Sequence, residues 1–264
     1  MTLAAELEAI AIAVAREGGD LARRRRSEGV AIAATKSALA DIVTEADREV
    51  ETLIRDRIAV ARPDDGFLGE EGGTHAGTSG ITWVVDPIDG TVNYAFGIPA
   101  YATSVAAVTG TPTPGEWEVL AGVVYSPAQG ELFHAAAGHG AWLDGRQLSV
   151  NAAPGPAGAL LATGFGYDAA THAADLTLVG RVMPLARDIR RIGAAALDIA
   201  YVAAGRVDGF FERGLKPWDH AAADLLVTES GGEIAWIDDQ ERPLTVAAGP
   251  ALIERLVAVA SRPV

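Results

Sequence analysis

Cysteine is absent from the 264 residues of the chain. No disulfide, thiolate metal site or cysteine nucleophile can form, and the composition suits a reducing cytosol. Long apolar runs are missing too, and no stretch approaches the roughly 20 residues of a membrane span. Residues 1–17 mix acids with apolar positions and lack the uncharged core of a secretory signal. Positive charge is scarce: 21 Lys and Arg stand against 35 Asp and Glu, for a net charge of −14. That disfavours nucleic acid, because binding it requires cations to neutralise phosphates. If the ligand is itself a phosphate, an acidic protein must recruit positive charge, and bound metal ions are the obvious source. The five histidines show no His-Glu-x-x-His spacing.

What is present is a core. Hydrophobic residues make up 49%, enough for one large domain or two tightly packed subdomains and too many for disorder. Leu3, Leu7, Ile10, Val14 and Leu21 mark one face of an amphipathic helix, loosened near Gly18-Gly19. The Arg23-Arg24-Arg25-Arg26 run ending it is expected to be a solvated last turn favoured by the helix dipole, ahead of a basic binding patch. Residues 30–43 connect onward as a hairpin or extended loop carrying Lys36, either a surface lysine or a charge facing the site. Thr44 is a good N-cap for a second helix, with Val50, Ile54 and Ile58 inward and a stop before Pro63. Asp47 falls at its N3 position on the same apolar stripe, where spacing alone favours a cap partner over a site residue.

Gly66 to Glu71 reads as a short strand, Phe67-Leu68-Gly69 ending in Glu70-Glu71, and leads past Gly72-Gly73 into a polar Gly-rich loop at 74–80. Ile81 to Val85 reads as a buried strand that stops in two aspartates, Asp86 and Asp89, then Gly90 and Thr91. Tyr101–Val108, Gly122–Tyr125, Glu131–Ala136 and Ala141–Val150 make the middle antiparallel and β-rich, with Asp144-Gly145 a strong hairpin turn. Asn151 to Gly158 holds two Pro and two Gly and is the candidate joint between subdomains at 1–155 and 156–264. Beyond it, strands are expected at Leu160–Thr163, Val207–Glu212, Glu233–Ile237 and Leu244–Ala248. Helices are expected from Ala173 to about Ala186, over Ala194–Ala204 and Asp219–Ser230, and in a last helix opened by Pro250.

One description fits four places: an acid at the end of an apolar strand or the start of a helix. They are Glu70, the Asp86/Asp89 pair, Glu212 and Asp219. Singly, each has a structural use as a loop acid, a turn cap at Gly90 or an N-cap. Converging, they would repel and raise one another's pKa unless a cation compensates. Oxygen-only ligands point to Mg²⁺ and not zinc. Such a set supports phosphate ester hydrolysis, with metals polarising the phosphoryl oxygens and the N–H groups of Gly90 and Thr91 holding the phosphate. Other phosphate machinery is missing: no Gly-x-x-x-x-Gly-Lys loop, no Gly-x-Gly-x-x-Gly, no Gly-x-Ser-x-Gly. Asp89-Gly90-Thr91 matches half of the Asp-x-Asp-Gly-Thr motif of haloacid dehalogenase-class phosphatases. Pro87 stands where that motif needs an acid, which argues against a covalent aspartyl-phosphate.

Asp86-Pro87-Ile88-Asp89-Gly90-Thr91-Val92-Asn93-Tyr94 resembles the first signature of the inositol monophosphatase family. Lys216-Pro217-Trp218-Asp219-His220-Ala221-Ala222-Ala223 resembles the second, with Thr228-Glu229-Ser230-Gly231-Gly232 following. Val43 to Asp47 and Gly69-Glu70-Glu71 match two further motifs in order and spacing, so the likeness runs from the first helix to the last. The resemblance implies a mixed α/β (α+β) fold, a single domain layered α-β-α-β-α of the inositol monophosphatase / fructose-1,6-bisphosphatase type, and usually a homodimer. It implies Mg²⁺, about two or three ions per site, held by Glu70, Asp86, the carbonyl of Ile88, Asp89 and Asp219, with Li⁺ as an inhibitor. It also reverses the local choice for Asp47. In the family the matching Asp works with the residues at Thr91 and Glu70 to position and activate the attacking water, without a phosphoenzyme.

The resemblance further implies that substrate meets Glu70, Ile88, Asp89, Gly90, Thr91, Gly193, Ala194, Ala195, Glu212 and Asp219. Glu212 can accept hydrogen bonds from two polyol hydroxyls. Ala194 stands where the family often has Ser or Thr, so one polar contact is missing. The expected function is Mg²⁺-dependent hydrolysis of a polyol phosphate, foremost myo-inositol 1-phosphate. Histidinol phosphate, fructose 1,6-bisphosphate and 3′-phosphoadenosine phosphate are the rival substrates. A scaffold that keeps the fold without activity is the rival of another class, opposed by the intact acid set. The expected partner is a small phosphate monoester, with no nucleic acid and no membrane, in the cytoplasm.

Overall fold

The structure is a computed structural model and describes residues 2–29, 32–35, 42–111, 115–238 and 242–261. Lys36 and the Thr44 side chain, proposed as a cap, lie outside the described residues. Helix α1 (Leu3–Glu28) is capped by Thr2 and runs unbroken through Gly18-Gly19. Those glycines do not loosen it. They are close-approach positions, where a Cβ would meet Ile54 at 2.8 Å and the Tyr125 ring at 2.5 Å. The arginine run is solvated at Arg23 and Arg24, while the half-exposed Arg25 also grips Glu49 at 2.6 Å through two nitrogens. The pair β1 (Ile32–Thr35) and β2 (Ile42–Thr44) is antiparallel, and α2 (Glu45–Ala61) follows.

The first large sheet is built from β3 (Gly66–Gly69), β4 (Gly73–His75), β5 (Ile81–Asp89), β6 (Ala102–Gly110), β7 (Trp117–Ser126), β8 (Glu131–Ala136), β9 (Ala141–Leu143) and β10 (Arg146–Gln147), with α3 (Thr91–Phe96) after β5. Its order is β10-β9-β8-β7-β6-β5-β3-β4, antiparallel except where β3 lies parallel to β5. Asp144 and Gly145 both adopt positive φ, 48° and 81°, as a two-residue hairpin turn between β9 and β10 requires.

The second sheet uses β11 (Ala159–Thr163), β12 (Ala186–Arg190), β13 (Gly209–Arg213), β14 (Glu233–Ile237) and β15 (Leu244–Ala248). Its order is β12-β11-β13-β15-β14. Its helices are α4 (His172–Val182), α5 (Ala195–Ala203), α6 (Pro217–Glu229) and α7 (Ile253–Ala260).

Three apolar clusters stack these elements into five layers. On β5, Trp83 and Val85 point toward Leu7, Val14, Val50 and Ile54 of α1 and α2. Val84 points the other way, as strand alternation demands, into a cluster with Ala196, Leu197, Ala222 and Leu226 of α5 and α6. The same two helices pack Ala162, Phe210 and Ala247 of the second sheet. Leu161, Phe211 and Val246 face outward onto Leu178 of α4 and Leu256 of α7. The α-β-α-β-α sandwich is therefore present, with α5 and α6 as its shared middle. Alanine makes that middle thin: a Cβ on Gly122 of β7 would come within 2.5 Å of the Ala222 carbonyl.

Local differences from the sequence expectation have local causes. The polar loop at 74–80 begins inside β4. Helix α4 stops at Val182 because Pro184 follows and cannot donate back. Strand β12 is an exposed edge of charged residues, without alternation to announce it. Pro250 sits in the turn before α7 and not in its first turn.

Candidate active site

Strand β5 does not stop at Val85; it continues to Asp89. Its pairing to β6 passes from Asp86↔Ser104 to Asp89↔Ala102, so Pro87 and Ile88 stand opposite Thr103 alone. This is a β-bulge. Residues three apart on a regular strand point to opposite faces, and the extra residue returns Asp89 to the face of Asp86. Proline suits the bulge because it has no N–H to leave unpaired. The Pro87 carbonyl accepts from Thr103 Oγ1 at 2.9 Å, and the Ile88 N–H donates to Asp86 Oδ1 at 3.0 Å. Gly90 then turns the chain with φ 86°. It is wedged so closely that a Cβ would lie 3.1 Å from both the Gly193 carbonyl and the Ala194 methyl.

Thr91 opens α3 with its hydroxyl 3.1 Å from the Ile88 carbonyl and 3.3 Å from Asp47 Oδ1. Asp47 is fully buried at the start of α2, so it is joined to the site and not merely to its own helix end. Asp89 reaches across to the second half of the chain, where Ala195 and Ala196 donate N–H bonds at 3.1 and 2.8 Å. These are free donors at the start of α5, where the helix dipole also favours an anion. Asp219 lies at N3 of α6 and accepts from the Lys216 N–H at 2.6 Å. It is a cap and a site residue at once. Glu70 extends β3 by donating its N–H to the Val85 carbonyl at 3.3 Å. The turn after it is held by buried Glu51, which accepts from the Glu71 N–H at 2.7 Å and lies against Gly69 and Gly72.

These elements border one cavity of about 750 Å³. Glu70, Asp89, Gly193, Ala194, Ala195, Glu212 and Asp219 line it. Asp47, Asp86, Ile88, Gly90 and Thr91 are buried beneath that surface. Burial, followed by the charges of Glu70, Asp89, Asp219 and Asp47, pushes the Asp86 carboxyl well above the usual range. Asp89 is pushed up to about 8 by burial and Asp219, against the N–H bonds from α5. Asp219 rises to about 7 through burial, opposed by the Lys216 N–H. Glu212 rises to about 8 through burial and then the charges of Asp219 and Asp89.

Among the described residues, no three acid or histidine side chains already stand at one-ion coordination distance. What the acids share is a floor and a mutual repulsion that added positive charge relieves. Hard carboxylate oxygens in that state fit a divalent cation such as Mg²⁺.

Sequence reasoning missed five contributors. Asp198 lines the cavity from the first turns of α5. Its signal was available: an acid inside an alanine-rich apolar helix, the pattern that singled out Asp47. Tyr167 and Phe165 line the cavity from the loop after β11. The Arg191 guanidinium lies 5.9 Å from the Phe165 ring centre. That loop is anchored by Arg242, bidentate to Asp175 at 2.8 and 3.1 Å, and by the Gly166 N–H to Asp175 at 3.2 Å. No local pattern marks Tyr167 or Arg191, and Glu51 reads from sequence as an ordinary helix acid.

The sequence model of the inositol monophosphatase family matches residues 3–262. Inositol-1-monophosphatase of Mycobacterium leprae (strain TN) is 40% identical over 278 residues, covering 97% of this chain and 94% of that protein. Nus factor SuhB of Salmonella typhimurium (strain 14028s / SGSC 2262) is 42% identical over 228 residues, covering 86% of this chain and 83% of that protein. The crystal structure of extragenic suppressor protein suhB from Bartonella henselae superimposes with a TM-score of 0.88 at 34% identity, covering 98% of this chain and all of that one.

Proposed function

Because this chain belongs to the inositol monophosphatase family of phosphoric monoester hydrolases, we propose that its substrate is a polyol phosphate, foremost myo-inositol 1-phosphate. One observation carries this: Glu70, Asp89 and Asp219 line one cavity together with Glu212, and Thr91, two residues after Asp89, meets the buried Asp47 at 3.3 Å.

Glu70, Asp86, the Ile88 carbonyl, Asp89 and Asp219 would hold Mg²⁺, about two or three ions. When bound, the ions supply positive charge to the phosphoryl oxygens and the leaving alkoxide. The Thr91 hydroxyl, fixed between Asp47 and the Ile88 carbonyl, orients a water in line with the ester bond together with Glu70, and the Gly90 and Thr91 N–H groups face the phosphate. Because the Ala195 N–H already serves Asp89, the Gly193–Ala195 loop shapes the alcohol pocket while Glu212 supplies its polar contact.

The test is phosphate release from a panel of esters with Mg²⁺, with and without Li⁺. Mg²⁺-dependent release that is fastest on inositol 1-phosphate and suppressed by Li⁺ is the expected result. The cavity's volume lies in the range of sites for larger ligands, so histidinol phosphate, fructose 1,6-bisphosphate and 3′-phosphoadenosine phosphate belong in the panel. Preference for one of them replaces the substrate; release from none favours a scaffold. The Salmonella relative is named a Nus factor, which raises a second, regulatory role. With a net charge of −14, a protein surface suits that role better than a nucleic acid. The proposal includes a cytoplasmic homodimer and a division into subdomains near residue 155, between the last strand of the first sheet and the first of the second.

A further inference from the structure

Asn93 makes two hydrogen bonds that the chemistry above leaves unused. It stands in α3, two residues after Thr91, and is 5% exposed. Its side-chain Nδ2 donates to the Ala100 carbonyl at 2.7 Å and to the Ile192 carbonyl at 2.9 Å. An amide nitrogen carries two hydrogens, so both are spent. The two acceptors also fix which way the amide faces, because its own oxygen could serve neither.

Each segment joined in this way belongs to the site. Helix α3 opens at Thr91, which meets Asp47. Ala100 leads into β6, where Ala102 pairs with Asp89. Ile192 leads into Gly193, Ala194 and Ala195, which line the cavity. The far end of that loop is pinned already, since Ala195 and Ala196 donate to Asp89. Asn93 pins the near end. Between the two pins Gly193 takes φ 91°, and a Cβ there would stand 3.2 Å from Nδ2. The same segments crowd Gly90, whose added Cβ would meet the Ala100 carbonyl at 3.0 Å and the Gly193 carbonyl at 3.1 Å. A carbonyl left without its donor at so close a contact is costly, so losing one amide loosens two attachments at once.

We infer that Asn93 is a positioning residue, a strap that holds the loop at Gly193 at a set distance from the turn at Gly90 and Thr91. This rests on the proposal that the phosphate meets that turn and the alcohol meets that loop. A polyol phosphate must satisfy both places together, so the spacing between them selects the alcohol. A small aryl ester is held mainly by its phosphate and depends on the spacing less.

Two variants and two readouts without substrate test it. Asn93→Ala removes the strap; Asn93→Asp keeps its shape and puts an oxygen where the donor stood. Both should lower kcat/KM on inositol 1-phosphate about ten-fold more than on p-nitrophenyl phosphate, with the difference in KM, the scale of a lost hydrogen bond or two. Equal losses on both esters would overturn the assignment. So would an Asp variant that behaves as wild type, because filling the space would then suffice. Hydrogen–deuterium exchange read by mass spectrometry follows the loop itself. In Asn93→Ala the peptide over 190–197 should exchange about ten-fold faster while β5 and β13 keep their protection. An unchanged loop, or an equal rise throughout the chain, overturns the strap. The last readout uses the wild type alone and stands even where a variant does not fold. The Asn93 side-chain amide protons, followed in a nitrogen-15 spectrum, should exchange at least about ten-fold slower than a free asparagine amide; exchange at the free rate overturns the proposal. If the wild type releases phosphate from no ester, the polyol proposal fails, and exchange at the loop still decides the strap.

Discussion

The two halves of the site are held by different means. At the proposed metal corner, three acids are fixed by backbone: Asp86 by the Ile88 N–H, Asp89 by Ala195 and Ala196, and Asp219 by Lys216. In the proposed alcohol half, side chains meet side chains, with Arg191 against Phe165 and Arg242 on Asp175. Backbone donors survive side-chain exchange, so the corner is a property of the fold. The alcohol half can be rewritten one substitution at a time. On the proposed roles, reaction class and substrate preference are stored in different kinds of contact.

The most severe way to break the comparison is Asp89→Asn. Activity should fall on the order of 100-fold or more, Mg²⁺ binding should weaken by calorimetry, and the circular dichroism should stay native. Wild-type turnover would remove Asp89 from the metal corner.

Next comes pH in the absence of metal. Asp89 and Asp219 hold protons up to about 8 and about 7 when folded and release them near 3.8 when unfolded. Groups raised in this way stabilise the fold at low pH, and that stability is lost as pH climbs through the window between those values. Metal-free protein should therefore lose about 5 °C or more of Tm between about pH 5 and about pH 8, and saturating Mg²⁺ should flatten the slope. A Tm that rises over that window without metal would contradict the acid floor.

Glu212→Gln sharpens the other half. It should cost about ten-fold on a polyol phosphate and clearly less on a small aryl phosphate, and parallel losses would take the alcohol away from Glu212. The smallest effect belongs far from both halves. Gly145→Ala forces a Cβ onto φ 81° and should cost about 1 kcal/mol of stability, read as a lowered denaturant midpoint, with kcat intact.

The layering was legible because it rests on periodicity: Leu7 and Val14, Val50 and Ile54, and the alternation along β5 all repeat at short range. The acids proposed to hold metal stood out because each ends an apolar strand or opens a helix. What failed to show was set by partners far along the chain. Asp47 looks like a cap until Thr91, 44 positions away, is placed beside it. The end of β5 was read at Val85 because the apolar run ends there, whereas its true end is decided by pairing with β6. Strand β12 carries charge at an exposed edge, where no burial imposes a pattern. Tyr167 has an unremarkable local sequence, and only folding brings its loop to the cavity.

The bulge in β5 has a practical consequence for anyone mapping this protein by saturation mutagenesis. Ile88 enters the proposed site through its carbonyl, and every amino acid has one. A scan of position 88 would report packing alone and score the residue as ordinary core. The informative change is in chain length. Removing Ile88 would let Asp86 and Asp89 pair regularly two residues apart, still on one face, with the Ile88 carbonyl gone and only that of Pro87, the acceptor of Thr103, left between them. A protein that folds with both aspartates in place and no longer turns over would reveal a ligand that has no side chain to mutate.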